Sequence, residues 1–170
     1  MSPFRPDLVD VWIFRTGEFG WSAAGAGVEI LLLRRAPGRI LPGLWQCVSG
    51  SLEDGESVPA GALRELREET GFGPDRIAAF YHLDQVNQFH EPSVGGVLTA
   101  VEFAARLIAG AEPVLSEEHD SMRWLSPEEA VAQAVWPAYR ESIHRITDNL
   151  VAPERSIWFE LTLAGERARR

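Results

Sequence analysis

The chain has 170 residues, 45% of them apolar and 24% charged, with a formal net charge of −9. This length suits one domain with a proper core, taken as residues 1–170. The acidic balance argues against nucleic acid as a partner, because duplex binding needs a basic face, but it leaves room for a polyanionic small molecule held through divalent metals.

In chain order, "DVWIF" (10–14) and "VEILLLRR" (28–35) read as strands, and the Gly/Ala/Ser-rich stretch 17–27 between them reads as a hairpin loop. "APGRILPGL" (36–44) is a turn-rich connection to a short strand, "WQCVSG" (45–50). A helix follows from about Pro59, with Ser57 as its expected cap, Pro59 tolerated in the first turn and Gly71 as its stop. Residues 77–89 and 96–107 are the next strands, and the loop 87–95 between them is expected to reach a site. "SMRWL" (121–125) is a short strand. "SPEEAVAQA" (126–134) opens as a helix, and a longer helix covers 137–150. The tail "SIWFELTL" (156–163) alternates apolar and polar residues and is expected to be a strand. Strands dominate with helices interspersed, which predicts an α/β fold with helices on both faces of a sheet.

Cys47 is the single cysteine, so an intrachain disulfide is excluded and a reducing, cytoplasmic setting is expected. No basic start followed by an apolar run is seen. The longest apolar stretch, 28–33, is interrupted by Glu29 and is too short to span a bilayer, so no membrane association is expected.

The predicted helix after residue 57 carries a concentration of like charge. Glu65, Glu68 and Glu69 fall within about one third of its circumference at 100° per residue. Leu63, Leu66 and Thr70 lie on another side and can pack on a sheet, while Arg64 sits four residues before Glu68. One arginine does not neutralise three carboxylates. Such a face is either solvated or occupied by a hard divalent cation, Mg²⁺ or Mn²⁺, which prefers carboxylate oxygens.

Gly50, Glu56, Arg64, Glu65, Leu66, Glu68, Glu69, Gly71 and Phe72 fill every constrained position of G-x5-E-x7-R-E-U-x-E-E-x-G-U, where U is a bulky apolar residue. The segment therefore resembles the Nudix box. The resemblance implies a Nudix fold, an α/β/α sandwich with a mixed sheet, and hydrolysis of a nucleoside diphosphate linked to another group. It implies Glu65, Glu68 and Glu69 as metal ligands with the Gly50 carbonyl as a further one, Arg64 as the orienter of the carboxylates, and Glu56 as its structural partner. The chemistry is self-consistent: cations on a diphosphate offset its charge and acidify a water, which attacks phosphorus in line. The base is Glu68, Glu69 or a glutamate outside the box.

The flanks "LWQCVSGSLEDGE", "EHDSMRWLSPEEA" and "WPAYRESIHRI" look like the dihydroneopterin triphosphate and dATP pyrophosphohydrolase branch. That similarity implies Glu118 as an additional metal ligand, with Glu117 as the competing acid. Trp45 is placed either to stack on a base or pterin ring or to fill the core. Arg34 and Arg35 follow a strand and are candidates for phosphate contact, with a solvated strand end as the alternative. Gln88 is a candidate for reading a base edge, and His90 either joins it or is an ordinary surface histidine. The expected activity is cleavage of a nucleoside or pterin triphosphate to monophosphate and pyrophosphate. The alternatives are another nucleoside diphosphate derivative (ADP-ribose, a nucleotide sugar, a dinucleoside polyphosphate) or a non-catalytic nucleotide sensor. The tail strand is expected to extend its own sheet or that of a second copy in a homodimer.

Overall fold

A computed structural model describes residues 5–17 and 27–168. The elements in chain order are β1 (Leu8–Thr16), β2 (Val28–Arg35), β3 (Trp45–Gln46), β4 (Val48–Ser51), α1 (Val58–Thr70), β5 (Ile77–Glu91), β6 (Gly96–Leu107), β7 (His119–Leu125), α2 (Pro127–Gln133), α3 (Pro137–Arg145), α4 (Pro153–Ser156) and β8 (Glu160–Leu161). A 3₁₀ turn, Pro74–Arg76, precedes β5, and a π-helical turn, Ile146–Leu150, extends α3. Among the described residues no helix is long and apolar enough to cross a membrane.

The sheet is mixed. Its main path runs β3-β2-β1-β6-β5-β8, with β4 paired to β1 and β7 to β2. The β1–β6 pair is parallel and the others are antiparallel. Strand alternation sends successive side chains to opposite faces. Val9, Val11, Ile13, Leu31 and Leu33 therefore pack with Ala62 and Leu66 of α1, while Trp12, Phe14, Ile30 and Leu32 pack with Ala130 of α2 and Ile143 of α3. Burial on both faces explains why β2 reads as an unbroken apolar run.

The helix ends follow local chemistry. Gly71 closes α1 in the left-handed region at φ 72°, its N–H bonded to the Arg67 carbonyl. Ser57 stands at the N-cap as expected, but its side chain makes no capping bond; only its carbonyl is used, by Gly61 N–H. Ser126 and Glu129 form a reciprocal capping box at α2.

Three expectations need correction. The segment 87–95 is not a loop: β5 runs on to Glu91 and pairs residue by residue with β6, leaving a turn at residues 92–95. Backbone pairing of a two-stranded ribbon overrides the polar composition there. The tail is not a strand over 156–163. Pro153 opens the short helix α4 instead, a turn follows, and only Glu160–Leu161 pairs, with Tyr81 and Phe80 of this chain's own β5. The stretch 45–50 is two short strands, separated at Cys47, that pair with different partners, β2 and β1. The 17–27 hairpin loop falls mostly outside the described residues; its two ends are joined by Gly17 N–H donating to the Gly27 carbonyl.

Candidate active site

Gly50 sits in β4 opposite Val9, where its backbone lies directly against α1. A Cβ at position 50 would stand 1.9 Å from Glu65 Cδ, so only glycine permits this approach of strand and carboxylate. One turn along α1, Glu69 is buried at 3% exposure, and its Oε1 accepts from Ser49 N–H at 3.3 Å. Its Oε2 is buried without a hydrogen-bond partner.

Arg64 is the local counter-charge. Its Nε and Nη2 donate to the two oxygens of Glu56, both at 3.0 Å, and Nη2 also reaches the Ser51 carbonyl at 2.9 Å. Nη1 donates to Glu65 at 2.8 Å and to Glu68 at 3.2 Å. The guanidinium thus ties the loop before α1 to the helix and to the end of β4. Its hydrogen bonds hold the Glu56 carboxyl below the usual carboxylate range.

Glu118 arrives from the other side. Val114 N–H donates to the Thr70 carbonyl and Ser116 N–H to the Glu69 carbonyl, so the segment before β7 is laced to the last turn of α1. The Glu118 carboxylate stands 3.8 Å from Arg39 Nη1. Burial pushes Glu69 up to about 9, with the charges of Glu118 and Glu65 adding to the rise. Burial likewise raises Glu65 against the pull of Arg64. Burial and then the Arg35 charge lower His119 to about 4, so its imidazole is neutral at pH 7 and its 3.6 Å approach to Glu69 Oε2 is not an ion pair.

Among the described residues no three carboxylate, imidazole or thiol groups converge in a metal-binding set. Glu65 and Glu68 turn toward Arg64, whereas Glu69 and Glu118 do not bond it. The residues nonetheless fit a hard divalent cation. All donors are oxygens, one buried carboxylate oxygen of Glu69 lacks a partner, and the burial that raises Glu69, with the charges of Glu118 and Glu65 adding to it, is what a cation there would offset.

The remaining predicted residues separate. Arg35 donates through Nε to the Ile40 carbonyl, and its charge reaches both Glu69 and His119. Arg34 is engaged by Asp120 at 2.7 Å. Trp45 is buried in the α2/α3-side core, with the Arg123 and Arg34 guanidinium carbons 4.6 Å and 5.7 Å from its ring centroid. Gln88 is exposed on β5, opposite Thr99. A cleft of about 550 Å³ opens along α1, lined among others by Leu63, Arg64, Arg67, Glu68 and Leu163.

Sequence reasoning passed over a second acidic pair. Asp10 and Glu102 are neighbours across the parallel β1–β6 pair, at 5% and 0% exposure. Glu102 accepts from Trp12 Nε1 at 2.8 Å, Asn87 Nδ2 at 2.7 Å and Ser142 Oγ at 3.1 Å. Burial, above all, raises both carboxyls. The available signal was a single acid inside each of two apolar strands, "LVDVWIF" and "VLTAVEFAA".

A NUDIX domain matches residues 9–146, most of the chain. The chain belongs to that family, whose enzymes hydrolyse phosphoric anhydride bonds and generally use divalent metal ions. It is 32% identical over 124 residues to an octanoyltransferase of Myxococcus xanthus, a match covering 72% of this chain and spanning only 33% of that protein. It is 29% identical to the CTP pyrophosphohydrolase of Escherichia coli K12, covering 65% of this chain and 76% of that one. To the dihydroneopterin triphosphate diphosphatase of the same organism it is 25% identical, covering 71% and 84%. Its fold superposes on a NUDIX hydrolase structure from Listeria monocytogenes with a TM-score of 0.71, 26% identity and coverage of 86% and 94%.

Proposed function

We propose that this chain, as one functional unit over residues 1–170, is a pyrophosphohydrolase that cleaves a nucleoside or pterin triphosphate to the monophosphate and pyrophosphate. The observation that carries the reading is the buried, partnerless Glu69 Oε2 beside Glu65, with the Gly50 backbone against Glu65. The relatives at 29% and 25% identity that bear pyrophosphohydrolase and triphosphate diphosphatase names support the substrate class.

Glu65, Glu68, Glu69, Glu118 and the Gly50 carbonyl are the residues that would hold Mg²⁺, with Mn²⁺ as a substitute. A divalent cation there supplies the positive charge that offsets the diphosphate and the developing charge on its leaving oxygen. The protein does the rest. Arg64 fixes Glu65 and Glu68 from one guanidinium and ties them to Glu56 and Ser51, so the carboxylates are oriented before substrate arrives. Arg35 brings positive charge to the rim near Glu69, where a phosphate would sit. Glu68 is more open to solvent than Glu69, which suits it to take the proton of the attacking water. In this proposal Arg34 and Gln88 are outer contacts of the substrate, and Trp45, buried in the core, supports the Arg34 and Arg123 guanidinium groups rather than touching the ring.

The test is a Mg²⁺-supplemented panel of nucleoside and pterin triphosphates, nucleotide sugars, ADP-ribose and dinucleoside polyphosphates, with products identified. Release of pyrophosphate from a triphosphate is expected. Turnover confined to ADP-ribose, or none in the panel, would overturn the proposal.

A further inference from the structure

Among the described residues six buried side-chain polar atoms lack a hydrogen-bond partner, and three of them meet at one point: Glu69 Oε2 and both ring nitrogens of His119. Folded interiors pair nearly all such groups, so a concentration of them calls for a physical reason.

His119 reaches that point through an irregularity in β7. Met122 and Trp124 pack on the α1 side of the sheet. Strict alternation would send Asp120 to that side as well and His119 to the α3 side. The β2–β7 register slips instead. Arg34 is level with Ser121 and Arg35 with His119, so Asp120 is an extra residue in β7 at that step. A bulge re-aims the side chains beyond it. Asp120 pairs with Arg34 at 2.7 Å, and His119 comes to share the α1 face with Arg35 and Leu33.

The ring is held there. Its side chain is fully buried, and that of Glu69 is 4% exposed. The backbone on either side is tied down: His119 N–H donates to the Ser116 carbonyl at 3.3 Å, Ser116 N–H to the Glu69 carbonyl at 3.1 Å, and Ala36 N–H to the Glu118 carbonyl at 2.8 Å. His119 Nδ1 stands 3.6 Å from Glu69 Oε2. A shift of about half an ångström brings that pair to hydrogen-bond distance. The other oxygen of Glu69 already accepts from Ser49 N–H. A carboxylate gripped at one oxygen can swing about that bond; gripped at both, it has one plane.

We propose that His119 is the positioning residue of Glu69: its Nδ1–H donates to Oε2 and sets the direction in which the carboxylate meets a divalent cation. His119 touches neither substrate nor cation and acts through Glu69. The role rests on the pyrophosphohydrolase reading of the preceding subsection and deepens it. A neutral imidazole carries a single ring proton, so the role also fixes the tautomer, with the proton on Nδ1 and a lone pair on Nε2. Groups that hold a ligating carboxylate from behind are worth roughly ten- to hundredfold in metal affinity.

The experiment measures Mn²⁺ binding to the full chain by electron paramagnetic resonance, without substrate, and records the His119 ring nitrogens by ¹⁵N NMR with Mg²⁺ present. The wild type is expected to show the Nδ1–H tautomer. His119→Leu should weaken Mn²⁺ binding by roughly ten- to hundredfold. His119→Asn, whose amide nitrogen takes the place of Nδ1, should restore most of the affinity. His119→Gln, whose amide nitrogen falls at the place of Nε2, should bind as weakly as His119→Leu. Thermal unfolding of the cation-free variants separates lost folding from lost positioning, and the comparison of His119→Asn with His119→Gln decides the matter if His119→Leu does not fold. Equal Mn²⁺ affinity across the variants, or a wild-type ring protonated on Nε2, overturns the role of His119 and leaves the proposed activity standing. A wild type that binds no Mn²⁺ overturns both.

Discussion

Two groups of acids lie on opposite sides of this sheet, and they are neutralised by different means. On the α3 side, an indole, a hydroxyl and an amide donate to Glu102, and among the described residues no cation is bonded to it, while Asp10 Oδ1 is buried without a partner. On the α1 side, Arg64 satisfies Glu56, Glu65 and Glu68 but leaves Glu69 Oε2 bare. Burial raises both carboxyls of the first group, and Glu102 anchors Trp12, Asn87 and Ser142 by hydrogen bonds. In the second, one arginine serves three carboxylates and Glu69 stands apart from it, which is where the proposed cation would add its charge. Neither burial nor an orphaned oxygen separates the two groups, since Asp10 Oδ1 and Glu69 Oε2 share both; the guanidinium that gathers Glu56, Glu65 and Glu68 does.

The strongest way to break this contrast is Glu69→Gln. It should cut kcat by about a hundredfold or more, since a lost carboxylate ligand removes several kcal/mol of charge stabilisation. Its cation-free melting temperature should not fall, because a repelled buried acid is gone. Steady-state kinetics and calorimetry check both, and near-normal turnover would remove Glu69 from the mechanism. Next comes Gly50→Ala. The added Cβ collides with Glu65, so turnover should fall about tenfold or more while the core packing survives. Wild-type rates in that variant would show that the close approach is dispensable.

A pH experiment sharpens the comparison. The Glu69 carboxyl is raised from 4.5 to about 9, and Glu102 is raised as well. A carboxyl raised by folding stabilises the fold fully below its unfolded value and loses that contribution as pH climbs through the folded one. In chelator, unfolding free energy should therefore decline from about pH 5 to about pH 9. Mg²⁺ should flatten the share due to Glu69 and leave the share due to Glu102, which only Glu102→Gln removes. Denaturant titrations across this window decide it, and a stability that rises with pH in chelator contradicts the assignment. The smallest effect belongs to Ser126→Ala, which opens the α2 capping box far from either group and should cost about 1 kcal/mol with unchanged kcat.

The α1 region was legible in the sequence because its information is local. Gly50 through Phe72 carry loop, helix, cation and stop within one stretch, and both the helix and its Gly71 terminus stand where the spacing places them. The two-faced sheet was legible from apolar strand runs for the same reason. What remained hidden depends on partners remote in sequence. Asp10 and Glu102 meet only because β1 pairs parallel with β6. The polar run around Asn87 looked like loop because its strand character comes from pairing with β6. The tail alternates convincingly, yet Ile157 lies 47% exposed and Pro153 starts a helical turn instead. Alternation is evidence of a strand only where a neighbouring edge accepts it.

The lacing of Ser116 to Glu69 and of Val114 to Thr70 has a temporal consequence. Glu118 reaches the cluster only after the chain has passed through β5 and β6, far downstream of α1. During synthesis α1 therefore emerges long before Glu118, and a nascent chain released before β7 would carry the three acids of α1 without the segment that laces its last turn.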